Sequence, residues 1–162
     1  MKAIAAAVLL LCATTALSAQ AADADPAVAK QLKELGYEYE VDDDGDYKVL
    51  MATGDNDERS QIVYIRSHVE TYGNHRVREL WSYAYQSPAE ALPAVVANRL
   101  LEASNALIIG SWVKQQKSAV YVAKISASAS TGELEDAIAA AAVSADAMEL
   151  ELATDPQKSD DY

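Results

Sequence analysis

The sequence predicts an α+β fold: a mainly antiparallel, twisted sheet with its helices packed on one face, in the order α-β-β-β-β-α-β-β-α. Three observations carry this. Residues 37–85 hold runs in which apolar and polar side chains alternate, and short turns rich in Gly, Asp and Asn separate them. Hairpins joined by such turns are antiparallel. Three other segments place apolar residues three and four apart, the spacing of one helix face. With hairpins dominating, the helices are left to cover one side of the sheet.

Each element has its own signals. The first helix is predicted over 26–35. Asp25 sits at the N-cap, Pro26 at the first helical position, Val28, Leu32 and Leu35 on one face, and Gly36 at the end. Tyr37, Tyr39 and Val41 then alternate with Glu38 and Glu40, and the acidic turn Asp42–Asp46 leads to Tyr47, Val49 and Met51. After a second turn at 54–58, strands are expected over Ile62–Val69 and Val77–Tyr85, joined at Tyr72-Gly73-Asn74-His75. Ser87-Pro88-Ala89-Glu90 has the form of a capping box ahead of Leu92, Val96, Leu100, Ala103 and Leu107. Pro93 lies inside that run and predicts a kink or a delayed start. Two strands, Ile108–Lys114 and Ala119–Ile125, follow. Ser130-Thr131-Gly132-Glu133 is a second capping box, opening a last helix with Leu134, Ile138, Ala141, Ala145, Met148 and Leu152 on its stripe. Ala139, Ala140, Ala142 and Val143 make this helix apolar nearly all round, so a second copy of the chain is expected to cover the spare side as a homodimer.

The N-terminus has the three parts of a secretory signal: Lys2, an uncharged apolar run centred on Leu9–Leu11, and the small-residue close Ala19-Gln20-Ala21. Residues 1–21 are expected to be a cleaved signal peptide and the product to be periplasmic or secreted. The apolar run is too short for a stable membrane anchor, which takes about 20 residues. Cys12, the one cysteine, leaves with the signal, so disulfides, thiol catalysis and cysteine-ligated metals are excluded from the product. Residues 22–153 are expected to form a single domain, and 154–162 a disordered acidic tail. The formal net charge of −12 repels phosphate backbones and excludes nucleic acid as a partner.

Leu35-Gly36-Tyr37, running into Tyr39-Glu40-Val41-Asp42 and the Asp44-Gly45-Asp46 turn, resembles the opening of YbjN-type domains. Asn105 and the following Ile108-Ile109-Gly110-Ser111-Trp112-Val113 resemble that family's central helix end and aromatic strand, and the final capped helix also matches. The resemblance covers roughly 26–153. It implies a fold like that of type III secretion chaperones and a role in regulating sensory transduction; it brings no catalytic residues. The signal peptide departs from a cytoplasmic regulatory role.

No complete catalytic, cofactor or metal site is legible. Glu40, Asp42, Asp44 and Gly45 fall at the early places of a calcium loop, but Met51 stands where its bidentate carboxylate belongs. The acidic segment therefore reads as a solvated hairpin turn. His68 and His75 lie on the two sides of a hairpin, near enough in prospect to approach each other, but without a third ligand. No serine elbow or phosphate loop occurs. Trp81, Tyr83 and Tyr85 share one strand face at period two. The stripe is expected to be core beneath a helix, since the opposite face (Arg78, Leu80, Ser82, Ala84) is a weaker core; the alternative is an exposed platform for a partner protein or peptide. The function expected is thus an exported, non-enzymatic protein- or peptide-binding domain, regulatory or chaperone-like in the cell envelope. The alternatives are a periplasmic inhibitor or accessory protein of a secreted enzyme and, behind it, a hydrolase.

Overall fold

The computed structural model describes residues 23–54 and 58–153. The expected signal peptide, the 154–162 tail and part of the turn after Thr53 lie outside the described residues. The elements run α1 (Pro26–Leu35), β1 (Glu40–Val41), β2 (Tyr47–Thr53), β3 (Arg59–Tyr72), β4 (His75–Gln86), α2 (Ala94–Ser104), β5 (Ser111–Gln115), β6 (Ser118–Ser126) and α3 (Thr131–Leu152). The strands form one antiparallel six-stranded sheet in the order β1-β2-β3-β4-β6-β5. This is the predicted α+β architecture, with the helices on one face.

The caps behave as the sequence chemistry requires. Asp25 Oδ1 accepts the Ala27 amide at 2.9 Å, and Gly36, at φ 75°, closes α1 in the left-handed region. At α3, Ser130 Oγ accepts the Glu133 amide at 3.3 Å while Glu133 Oε2 accepts the Ser130 amide at 2.7 Å, so the capping box is complete. The first candidate box is not a cap. Ser87 Oγ accepts the Ala89 amide at 3.2 Å in a bend, and α2 starts only at Ala94. Pro93 is the cause: within a helix begun at 88 its missing N–H and its ring would break the turn, whereas just before the first turn it costs nothing. The strand expected from Ile108 starts at Ser111, because Gly110 takes φ 76° over the Tyr121 ring and interrupts the extended run.

The 22-residue α3 lies across β2, β3, β4 and β6 and is the main cover of the core. Its buried face is small: Ala137, Ala141, Ala142 and Ala145, with Leu134, Ile138 and Met148. Beneath the helices lie Val63, Ile65, Leu80, Ala84 and Ala123, all at 1 % exposure or less. Ala142, expected on the spare side of α3, is 2 % exposed and belongs to this core; Val143, at 64 %, stays outside. The two neighbours therefore respond oppositely to the same charge. Ala142→Glu buries an unpaired carboxylate and is expected to destabilise by about 3 kcal/mol or more, and Val143→Glu by less than about 0.5 kcal/mol in a monomer. Chemical denaturation of the two variants checks this.

Candidate functional site

The two faces of β4 settle the orientation of the sheet, and they reverse the expected assignment. Leu80, Ser82 and Ala84 are essentially inaccessible and Arg78 is buried, all under the helices. Trp81 and Tyr83 are half-buried on the opposite face, which no described helix covers. The reason is space. The ring of Tyr121, the register partner of Ser82 on β6, already fills much of that layer, which leaves room for Leu, Ser and Ala on β4 beneath the helices but not for two further large rings. Tyr85 does not share the stripe. A register shift between Tyr83 and Tyr85 sets Tyr85 opposite the core residue Ala119, and its ring packs against the core.

The open face gains a ring that period-two reading of β4 alone missed. Tyr64 of β3 stands opposite Trp81 in register and meets Tyr83 edge-on, ring centroids 6.0 Å apart. Its signal in the sequence was only its parity with Ile62 in the strand expected over Ile62–Val69. The rings are held in place. The Arg66 guanidinium lies over Trp81 at 4.6 Å, Lys48 lies over Tyr64 at 5.7 Å, and Tyr83 Oη donates to Gln115 Oε1 at 3.0 Å. Trp81 Nε1 donates to Glu79 Oε2 at 2.9 Å, and Lys124 Nζ pairs with Glu79 Oε1 at 2.8 Å. Burial alone raises the Glu79 carboxyl, but the hydrogen bonds from Lys124 and Trp81 outweigh it and hold the group below its usual range. Burial pushes the Tyr83 hydroxyl up, with Tyr64 adding to the shift. Val120 and Val122 lie opposite Tyr83 and Trp81 on β6 and are nearly dry. Leu50 and Val113, at 67 % and 40 % exposure, continue the apolar surface toward the sheet edges.

The other constellations are structural clamps. A cavity of about 740 Å³ beside the β3 irregularity is lined by Asp25, Asp46, Arg66, Ser67, His68 and Arg76 among others. Asp25 and Asp46 already have partners: Arg78 Nη2 pairs with Asp25 Oδ2 at 2.5 Å, Arg66 Nε with Asp46 Oδ2 at 2.5 Å, and the Ser67 amide donates to Asp46 Oδ1 at 2.7 Å. Asp42 Oδ1 accepts the Asp44 and Asp46 amides, each at 3.0 Å, which makes the acidic segment a hydrogen-bonded turn. Among the described residues no group of three or more His, Cys, Asp or Glu side chains is placed to hold a metal. The histidines do not meet. His75 pairs in register with Tyr72, four residues or about 13 Å along β3 from His68, whose Nε2 contacts Glu70 Oε1 at 3.2 Å.

A second cluster lies under α3 and was not anticipated. Asp146 Oδ1 accepts from Thr53 Oγ1 at 3.0 Å and from Arg59 Nε at 2.7 Å; Glu149 Oε2 accepts from Gln61 Nε2 at 2.5 Å; Ser82 Oγ lies 3.1 Å from Gln61 Oε1. Ser82 is inaccessible and has no histidine beside it, so the cluster fastens α3 to the sheet rather than exposing a nucleophile. Its one sequence signal is the pair Asp146 and Glu149, three apart on the otherwise apolar stripe of α3.

Comparison with family models, curated proteins and solved structures finds no match to this chain. Within the fold, Asp25 gives a direct test of the clamps. Burial raises its carboxyl, but the Ala27 amide and Arg78 outweigh that and hold it below its usual value. A folded value below the unfolded one stabilises above the unfolded value, and the gain is lost as pH falls through the folded value. Asp25→Asn keeps the cap and removes the charge. The variant is expected to lose about 1–3 kcal/mol at neutral pH and to show a shallower decline in melting temperature on acidification; a decline as steep as that of the parent contradicts the assignment.

Proposed function

We propose that this chain is an exported, non-enzymatic protein- or peptide-binding domain of the cell envelope or exterior, and that it binds through the open sheet face centred on Tyr64, Trp81 and Tyr83. One observation carries the proposal: a six-stranded sheet has one face that no described helix covers, and three large aromatic rings line it. Exposed apolar surface of that kind is costly in water and marks interaction sites. Aromatic residues with an Arg among them are the side chains that anchor protein interfaces. The rings are already fixed by Arg66, Gln115 and Glu79, so little side-chain entropy remains to be lost on docking. Lys48, Arg66 and Lys124 are engaged with Tyr64, Trp81 and Glu79, so the face offers rings and aliphatic stems rather than net charge, in a chain of net −12. Export is supported by the composition of residues 1–21, and the non-enzymatic role by the mutual engagement of the polar groups in the cavity and under α3.

Photo-crosslinking in the producing cells tests this. A benzophenone side chain in place of Tyr83 is expected to give a discrete adduct that is lost when Trp81→Ala is added, whereas the same group in place of Glu135, exposed on α3, gives none. Equal adducts from both positions, or none from position 83 in a folded protein, would contradict the assignment.

A further inference from the structure

We propose that the outer edge of β2, from Val49 to Thr53, takes up an extended basic segment of a partner polypeptide as a seventh strand. This deepens the proposal above, because the edge joins the open face through Leu50 and its register partner Ile62. The Asp42 amide donates to the Asp46 carbonyl at 3.0 Å, and opposed residues of an antiparallel pair alternate between exchanging hydrogen bonds and not. Glu40 and Lys48 are therefore the next bonded pair, and Leu50 and Ala52 point their N–H and C=O groups to the same outer side. β1 reaches no further than Lys48, so no described strand meets those groups.

The opposite edge of the sheet is managed differently. There the outward Trp112 amide donates to Ser104 Oγ at 2.9 Å, and α2 packs beside β5. Sheets blunt their edges with charge, proline, bulges or a covering element. Among the described residues Val49–Thr53 has none of these: its sequence is Val-Leu-Met-Ala-Thr, and its pairing with β3 is regular. An edge of that kind is a template for strand addition, in which main-chain bonds give affinity and alternate side chains give selectivity.

The occupant follows from what lies beside the edge. Five residues of open edge match an extended segment about 17 Å long. A groove of about 500 Å³ adjoins it, lined by Glu38, Tyr39, Glu40, Lys48, Leu50 and Ile62. The Lys48 ammonium is turned over Tyr64, which leaves the two carboxylates as the charges facing an incoming strand. Basic side chains at alternate positions meet Glu38 and Glu40 on the face that Leu50 shares with Glu40 and Lys48, and the apolar ones between them turn to the side of Tyr39.

The probe is an acetylated, amidated pentapeptide of alternating lysine and valine, titrated into the full chain while amide exchange at Leu50 and Ala52 is followed. Slowed exchange at both amides is expected. Ala52→Pro removes an outward N–H and leaves the β2–β3 bonds of Val49, Met51 and Thr53 intact; it is expected to weaken binding about tenfold or more, about 1.4 kcal/mol or more. The same peptide N-methylated at alternate amides is expected to lose binding on the unsubstituted protein, which keeps the test valid if Ala52→Pro does not fold. No binding, unchanged exchange at the two amides, or equal affinity for the methylated peptide overturns the proposal. If Trp81→Ala alone abolishes binding, the open face stands and the edge falls; if only the edge changes abolish it, the edge stands and the face falls as the binding surface.

Discussion

The packing of α3 across β2, β3, β4 and β6 sets most of what else the chain can do. A helix buries its apolar stripe only against something shaped to receive it. Here the stripe is built largely on Ala137, Ala141, Ala142 and Ala145, so the helix sits low on the sheet. Many of the strand positions below it are short or branched, among them Val63, Ile65, Leu80, Ala84 and Ala123, and the ring of Tyr121 fills much of the remaining space. Tyr64 of β3 and Trp81 and Tyr83 of β4 stand on the other face, while Tyr85 turns into the core. The open aromatic surface is thus a consequence of close helix–sheet packing, not an addition to it.

The polar clusters serve the same arrangement. Arg59, Gln61 and Thr53 fasten the C-terminal half of α3 through Asp146 and Glu149, and Arg78 ties the start of α1 to the β3 irregularity through Asp25 and the Arg66 and Ser67 carbonyls. Buried charges of this kind contribute position more than net stability, since desolvation offsets much of their attraction. They hold the described helices to one side of the sheet.

Much of this was legible in the sequence because it depends on local chemistry. Asp25, Pro26 and Gly36 bound α1, Ser130 and Glu133 open α3, and the Asp42–Asp46 turn is written in its own side chains. What was not legible depends on contacts between distant elements. Period two assigns Trp81, Tyr83 and Tyr85 to one face but does not say which face meets the helices. That follows only once the alanines of α3 are set against the size of Leu80, Ser82 and Ala84. The register shift that turns Tyr85 into the core leaves no mark in an alternating string, nor does the meeting of Tyr64 with Tyr83 across two strands. Asp146 and Glu149 were visible as breaks in an apolar stripe, but their partners on β2 and β3 lie about ninety residues away.

No described helix covers the aromatic face, and its exposure in the free protein can be measured. The two tryptophans report on it directly, because Trp81 lies on the open face and Trp112, at 7 % exposure, lies under the helices. Acrylamide quenching of the single-tryptophan variants Trp112→Phe and Trp81→Phe, at dilutions where self-association is absent, separates their signals. Trp81 is expected to be quenched several times faster than Trp112. If Trp81 is as well shielded as Trp112 in the free protein, the face is covered by another part of the chain and is not a binding surface.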